Sequence, residues 1–180
     1  MWIIKDPILD EYCGKKCFFV LQSVIFTFKL SKMMNFHGEY EATIDAKGRF
    51  LLPGALKKQL AEGETKFMLA RGFERCITLY PMRTWNEIME KFSKLNQFDP
   101  KVRQFTRQFL GGATEIELDS AGRMLMPASF KEYGTLGKDV IIAAVLDKFE
   151  VWDAVKYKKL FEEVSPTEYS NLAKEVMVGF

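Results

Sequence analysis

The strongest constraint on this fold is that the chain writes one segment twice. Residues 41–60 lie over residues 115–134 at a constant offset, matching Asp45 with Asp119, Gly48 with Gly122, Arg49 with Arg123, Leu51 with Leu125, Pro53 with Pro127 and Lys57 with Lys131. After a short slip the match resumes, with ITLYP (77–81) over FEVWD (149–153) and Trp85 over Tyr157. Self-similarity at a period of about seventy residues requires two copies of one supersecondary unit.

Each copy is legible from its turn. Asp45-Ala46-Lys47-Gly48 and Asp119-Ser120-Ala121-Gly122 put Asp first and Gly fourth, which suits a type I turn closed by a residue with positive φ. That predicts a hairpin with a Gly bulge. Upstream, EYEATI alternates as a strand does; downstream, RFLLP and RMLMP are short apolar runs ended by proline, which has no N–H for a ladder but fits the start of a helix. Short helices follow in GALKKQL and ASFKEYG, then buried strands in KFMLARG and DVIIAAV, and further strands in CITLYP and KFEVWD. The predicted unit is strand, turn, strand, short helix, two strands and a longer helix.

The longer helices are marked by period and caps. Trp85, Ile88, Met89, Phe92 and Leu95 recur on one helical face, as do Val102, Phe105, Phe109 and Leu110 after the start signal Asp99-Pro100, with Gly111-Gly112 as the stop. Asp153 caps AVKYKKLFEEV, and Ser165-Pro166-Thr167-Glu168 is a capping box opening a last helix to about Val178. The expected organisation is an extension over residues 1–32, repeats over 34–98 and 99–162, and a helical tail over 163–180.

Composition excludes several classes. With 180 residues, 48% apolar and 28% charged, the chain can bury a core, and its net charge of +2 is too small to announce a nucleic-acid partner by itself. Cys13, Cys17 and Cys76 form no zinc pattern, and His37, the only histidine, offers no pair of ligands and no base for a nucleophile. We therefore expect no metal, no cofactor, no catalytic residues and no small-molecule substrate. An odd cysteine count without a framework suits a reducing cytoplasm. The apolar run at residues 17–28 falls short of the ~20 residues needed to span a bilayer. We read residues 1–32 as translation from an upstream start, with a loosely docked extension or a targeting signal as alternatives.

With these residues in place, the chain resembles the MraZ family of bacterial transcription regulators from about Met34 to Phe161, through GEYEATIDAKGR, RQFLGGATEIELDSAGRMLMPA and KFEVWD. The resemblance implies an α+β fold with a mainly β core, a duplicated AbrB-like swapped-hairpin double barrel with flanking helices. It also implies a homo-oligomeric ring that binds double-stranded DNA at direct repeats upstream of the division and cell-wall gene cluster containing its own gene. That places the protein in the cytoplasm, on the nucleoid. His37 stands where many members carry a basic or apolar residue, and the first 32 residues have no family counterpart.

Arg49 follows the bulge glycine at a turn tip, where a long cation can meet phosphate or a guanine edge. Alternatively, Asp45 pairs with Arg49 to hold the turn, and both roles can coexist. The copies differ in charge: residues 41–60 hold Lys47, Arg49, Lys57 and Lys58 against two acids, a balance of +2, and residues 115–134 hold Arg123 and Lys131 against four, a balance of −2. Phosphate favours the first copy. DNA contact is therefore expected from Arg49, Lys47, Asp45, Lys57 and Lys58, with Arg71 a minor candidate. Gly48, Asp119, Gly122 and Arg123 are expected to be structural or to lie at an interface. Lys101, Arg103 and Arg107 read as a solvated helix face. The competing reading is a ring-forming scaffold that binds no DNA.

Overall fold

Residues 35–177 are those that the computed structural model describes, and across them each copy lays down the same run of elements. The extension at 1–32 lies outside the described residues. The chain divides into Met1–Met34 and Asn35–Phe180, and the fold belongs to the second unit. The first copy supplies β1 (Glu39–Thr43), β2 (Arg49–Leu51), α1 (Gly54–Lys57), β3 (Lys66–Arg71), β4 (Ile77–Pro81) and α2 (Met82–Ser93). After α3 (Pro100–Leu110), the second supplies β5 (Thr114–Glu117), β6 (Arg123–Leu125), α4 (Ala128–Gly134), β7 (Asp139–Val145), β8 (Lys148–Asp153) and α5 (Ala154–Glu162), and α6 (Pro166–Val176) follows.

Local chemistry fixes the helix ends. The Asp99 carboxylate accepts from the Lys101 N–H ahead of Pro100, and the Asp153 carboxylate accepts from Val155 and Lys156. Ser165 and Glu168 form a reciprocal capping box. Pro53 and Pro127 occupy the N-cap positions of α1 and α4, one residue ahead of the first helical position. α1 is shorter than GALKKQL suggests, ending at Lys57.

The strands pair across the copies. β1 lies antiparallel to β7, from Glu39 opposite Ala143 to Thr43 opposite Asp139, and β5 lies antiparallel to β3, from Lys66 opposite Glu117 to Leu69 opposite Thr114. Hairpins β3–β4 and β7–β8 meet through β4 and β8. The result is a six-stranded antiparallel sheet in the order β1-β7-β8-β4-β3-β5, beside a two-stranded ribbon of β2 and β6. This corrects the expected hairpins, because the strands flanking each turn do not form a ladder with each other. The backbone bonds across each turn are its closing ones, among them Asp45 N–H to the Arg49 carbonyl at 2.8 Å and Asp119 N–H to the Arg123 carbonyl at 2.9 Å. β1 makes a five-residue ladder on β7 instead, and the three residues of β2 pair with β6.

Phe50 and Met124 point inward from the ribbon and are buried, as are Leu52, Leu56, Met126 and Phe130 around it and Phe67, Leu69, Val140, Ile142, Phe149 and Val151 in the sheet. Each such side chain contributes about 1.5–3 kcal/mol by leaving water. α2 and α3 bury their apolar faces together around Tyr80, Trp85 and Phe109, with Trp85 and Phe109 stacked at 5.8 Å between ring centres. Phe105, expected on the same buried face, is 39% exposed. Among the described residues no helix is long and apolar enough to cross a membrane.

Candidate nucleic-acid interface

The ribbon sorts its residues by the two-residue period of a strand. Arg49 stands opposite Leu125, Phe50 opposite Met124 and Leu51 opposite Arg123. Phe50 and Met124 take the inner face, which leaves Arg49, Leu51, Arg123 and Leu125 together on the outer one. Leu51 and Leu125 are 53% and 54% exposed. The two arginines that sequence reading set apart therefore share one surface.

Each arginine is held by the aspartate that begins its turn. Asp45 Oδ1 accepts from the backbone N–H groups of Lys47 and Arg49, both at 2.8 Å. Its Oδ2 accepts from Arg49 Nε at 2.9 Å and pairs with Nη2 at 2.9 Å. Asp119 repeats the arrangement on Ala121 and Arg123, with Arg123 Nε 2.9 Å from Oδ2. The backbone N–H of Arg49, followed by its guanidinium, holds the Asp45 carboxyl below the usual carboxylate range, and Arg123 does the same for Asp119. A guanidinium carries five N–H donors, so each arginine keeps donors beyond those given to its aspartate.

Gly48 and Gly122 close the turns at φ 80° and 75°, the left-handed region that favours glycine. Each turn is also stitched to the other copy: Met126 donates to the Gly48 carbonyl at 2.8 Å, and Leu52 donates to the Gly122 carbonyl at 3.1 Å. The Lys57 ammonium lies against Gly122, so a first-copy cation is delivered to the second-copy turn. Lys47 and Lys58 are exposed. Arg71 is not part of the ribbon; it ends β3, with its guanidinium 5.5 Å from the Tyr133 ring centre. His37 ties the entrance of β1 to the residues after α1, its N–H donating to Gln59 Oε1 at 3.1 Å and its carbonyl accepting from Gln59 Nε2 at 3.2 Å.

Sequence reasoning missed the exposed leucine pair and the reach of Lys57. The near-identical triplets RFL and RML carried the first signal, since pairing them must put both arginines and both outer leucines on one face. Nothing local carried the second. Among the described residues no group of His, Cys, Asp and Glu could hold a metal ion.

The two copies also separate cleanly in comparison with known proteins. A family model described as "MraZ protein, putative antitoxin-like" matches twice, over residues 35–108 and 109–178. A protein of Christiangramia forsetii is 38% identical over 147 residues, covering 81% of this chain and 94% of its own length. One from Moorella thermoacetica is 38% identical over 145 residues, covering 81% and 98%, and one from Flavobacterium psychrophilum is 38% identical over 142 residues, covering 78% and 90%. Each of the three is named Transcriptional regulator MraZ. A family model that matches once on each copy, together with relatives aligned along most of their length, shows that the chain belongs to the MraZ family.

Proposed function

We propose that the protein is a sequence-specific DNA-binding transcription regulator, an autorepressor acting at direct repeats in the promoter of the division and cell-wall gene cluster. The observation that carries this reading is the outer face of the ribbon, where aspartate-held arginines flank two exposed leucines. A two-stranded ribbon fits the major groove, an arginine fork matches guanine O6 and N7, and an aliphatic side chain matches the thymine methyl. Phosphate contacts would come from Lys47, Lys57 and Lys58, with Asp45 orienting Arg49 and Arg71 a minor contributor. The opposite charge balances of the copies support Arg49 as the main reading residue and a structural or interface role for Arg123.

The exchange of β1 and β5 between copies supports the swapped-hairpin, AbrB-like double-barrel reading, with repeats over 34–98 and 99–162 and a tail over 163–180. Each ribbon offers few contacts, so affinity must come from several subunits of a homo-oligomeric ring engaging spaced repeats at once. A protein with this task works in the cytoplasm, on the nucleoid, without enzymatic activity, cofactor or metal. The scaffold alternative keeps one observation in its favour, since exposed leucines beside arginines also suit a subunit contact.

Gel shift on the protein's own promoter at two salt concentrations tests the proposal. Arg49→Ala should weaken binding by about tenfold or more, as one lost base contact is worth roughly 1–3 kcal/mol, with the assembly unchanged by light scattering. Arg123→Ala should act mainly on stability or assembly size. Normal operator binding by Arg49→Ala, or loss of it in Arg123→Ala with the assembly intact, would reverse the assignment.

A further inference from the structure

The two copies differ most where β3 turns into β4. In the second copy Val145 pairs with Lys148, so β7 passes into β8 through Leu146 and Asp147. In the first, Arg71 pairs with Ile77, and residues 72–76 bridge the gap. This longer loop walls a cleft of about 370 Å³ that Tyr133, Phe105 and Gln108 complete from α4 and α3.

The cleft concentrates positive charge beside flat apolar surface. Arg71 and Arg75 each place their guanidinium carbon 5.5 Å from the centre of the Tyr133 ring. Among the described residues neither has an ion pair with a carboxylate. Two cations gathered over one ring, with no carboxylate of the described residues in ion-pair distance of either, form a site for an anion. The loop is bent to deliver them: Arg75 holds φ 61°, uncommon for a residue with a side chain. Tyr133 is tied to the same loop, its hydroxyl donating to the Gly72 carbonyl at 2.7 Å. Phe73 is 78% exposed yet ordered parallel to Phe105, with 6.3 Å between ring centres and 7° between planes.

We infer that this cleft binds a free nucleotide, with phosphate on the forks of Arg71 and Arg75, the base stacked at Phe73 and Phe105, and the Gln108 amide at the base edge. Phosphate accepts the paired donors of two guanidinium groups, and every base has a face that stacks on an aromatic ring. A bare inorganic anion would leave the Phe73 and Phe105 surface unused, and an uncharged aromatic would leave the arginines uncompensated. The cleft volume falls among those of small-molecule sites. This inference stands apart from the DNA-reading proposal, sharing with it only Arg71, a minor contributor outside the ribbon.

Calorimetric titration of the full chain, without DNA, with ATP, GMP, adenosine and pyrophosphate tests it. ATP and GMP should bind, and both adenosine and pyrophosphate should bind more weakly. Arg71→Ala with Arg75→Ala should weaken nucleotide binding about tenfold or more. Phe73→Ala should weaken nucleotides and leave pyrophosphate unchanged. All three side chains are exposed, and circular dichroism of each variant verifies its fold. The inference is overturned by absence of nucleotide binding at millimolar concentration, or by binding indifferent to the arginine pair. It is equally overturned if a duplex lacking promoter sequence depends on these residues while free nucleotides do not bind.

Discussion

Alanine at Gly48 and alanine at Gly122 should differ in effect, although the sequence treats the two glycines as equivalents. Both lie at positive φ, 80° and 75°, where a Cβ costs about 1–2 kcal/mol. The surroundings separate them. At Gly48 the new Cβ would stand 3.1 Å from the carbonyl oxygen of Met126, the residue after β6, whose N–H already donates to the Gly48 carbonyl at 2.8 Å. Relieving that contact shifts the backbone by a few tenths of an ångström against the hydrogen bond, which adds up to about 0.5–1.5 kcal/mol. At Gly122 the obstacle is the end of the Lys57 side chain, which swings into solvent at little cost. Gly48→Ala should therefore lose about 1 kcal/mol more than Gly122→Ala, a gap of roughly 2–4 °C in Tm for a chain of this size. Urea unfolding of the two variants and the parent, with a shared slope, measures it. Equal losses, or a larger loss at Gly122, would refute the argument. Gly122→Ala displaces Lys57 instead, so it should alter the salt dependence of promoter binding by up to about 0.9 in log–log slope.

Phe50→Ala empties a fully buried ribbon position and should cost about 3–5 kcal/mol in denaturant unfolding. Tyr157→Phe removes the hydroxyl that donates to Glu39 Oε1 at 2.7 Å, untying α5 from β1 for about 1 kcal/mol, read as a lowered Tm. Asp45 and Asp119 have carboxyls held below their unfolded value of 3.8, so their stabilisation is complete above that pH and is lost as pH falls through the lowered native values. Replacing both by Asn should flatten acid unfolding there and, between pH 6 and 8, lower stability by a constant amount with no change in its pH slope. Burial, followed by the charge of Glu150, pushes the Cys76 thiol up to about 11. Peptide mapping after alkylation of native protein at pH 8 should find Cys76 unmodified until the chain is unfolded.

What the sequence disclosed was local. Asp99-Pro100, Asp153 and the Ser165–Glu168 box act on their own next turn of backbone, so helix starts were readable where they occur. Strand partners were not, because the hairpin rule pairs neighbours in sequence, and here β1 and β5 find longer ladders on the opposite copy. The same non-local pairing is what sets Arg49 and Arg123 on one face of the ribbon, a juxtaposition that neither copy shows alone. The slip in the repeat alignment did register the longer β3–β4 loop, but nothing in the slip shows that Arg71 and Arg75 converge on Tyr133. Phe105 has helical spacing with Phe109 and stacks on it and on Phe92, at 5.9 and 5.6 Å between ring centres, while its outer face stays open and meets Phe73, a contact that helical spacing does not show.

The exchange of β1 and β5 has a consequence for how such a chain can change. Two separate one-copy chains could make the same pairings only by meeting in solution, and being identical they would carry the same turn and the same loop twice. Joining them in one chain replaces that encounter with an effective concentration on the order of millimolar. It also frees the copies from identity. One copy can then carry Lys47, Lys57 and Lys58 while its counterpart keeps Glu117 and Glu132, and one loop can lengthen over a helix while the other stays at Leu146 and Asp147. The covalent link is thus what permits a symmetric frame to present two unlike faces.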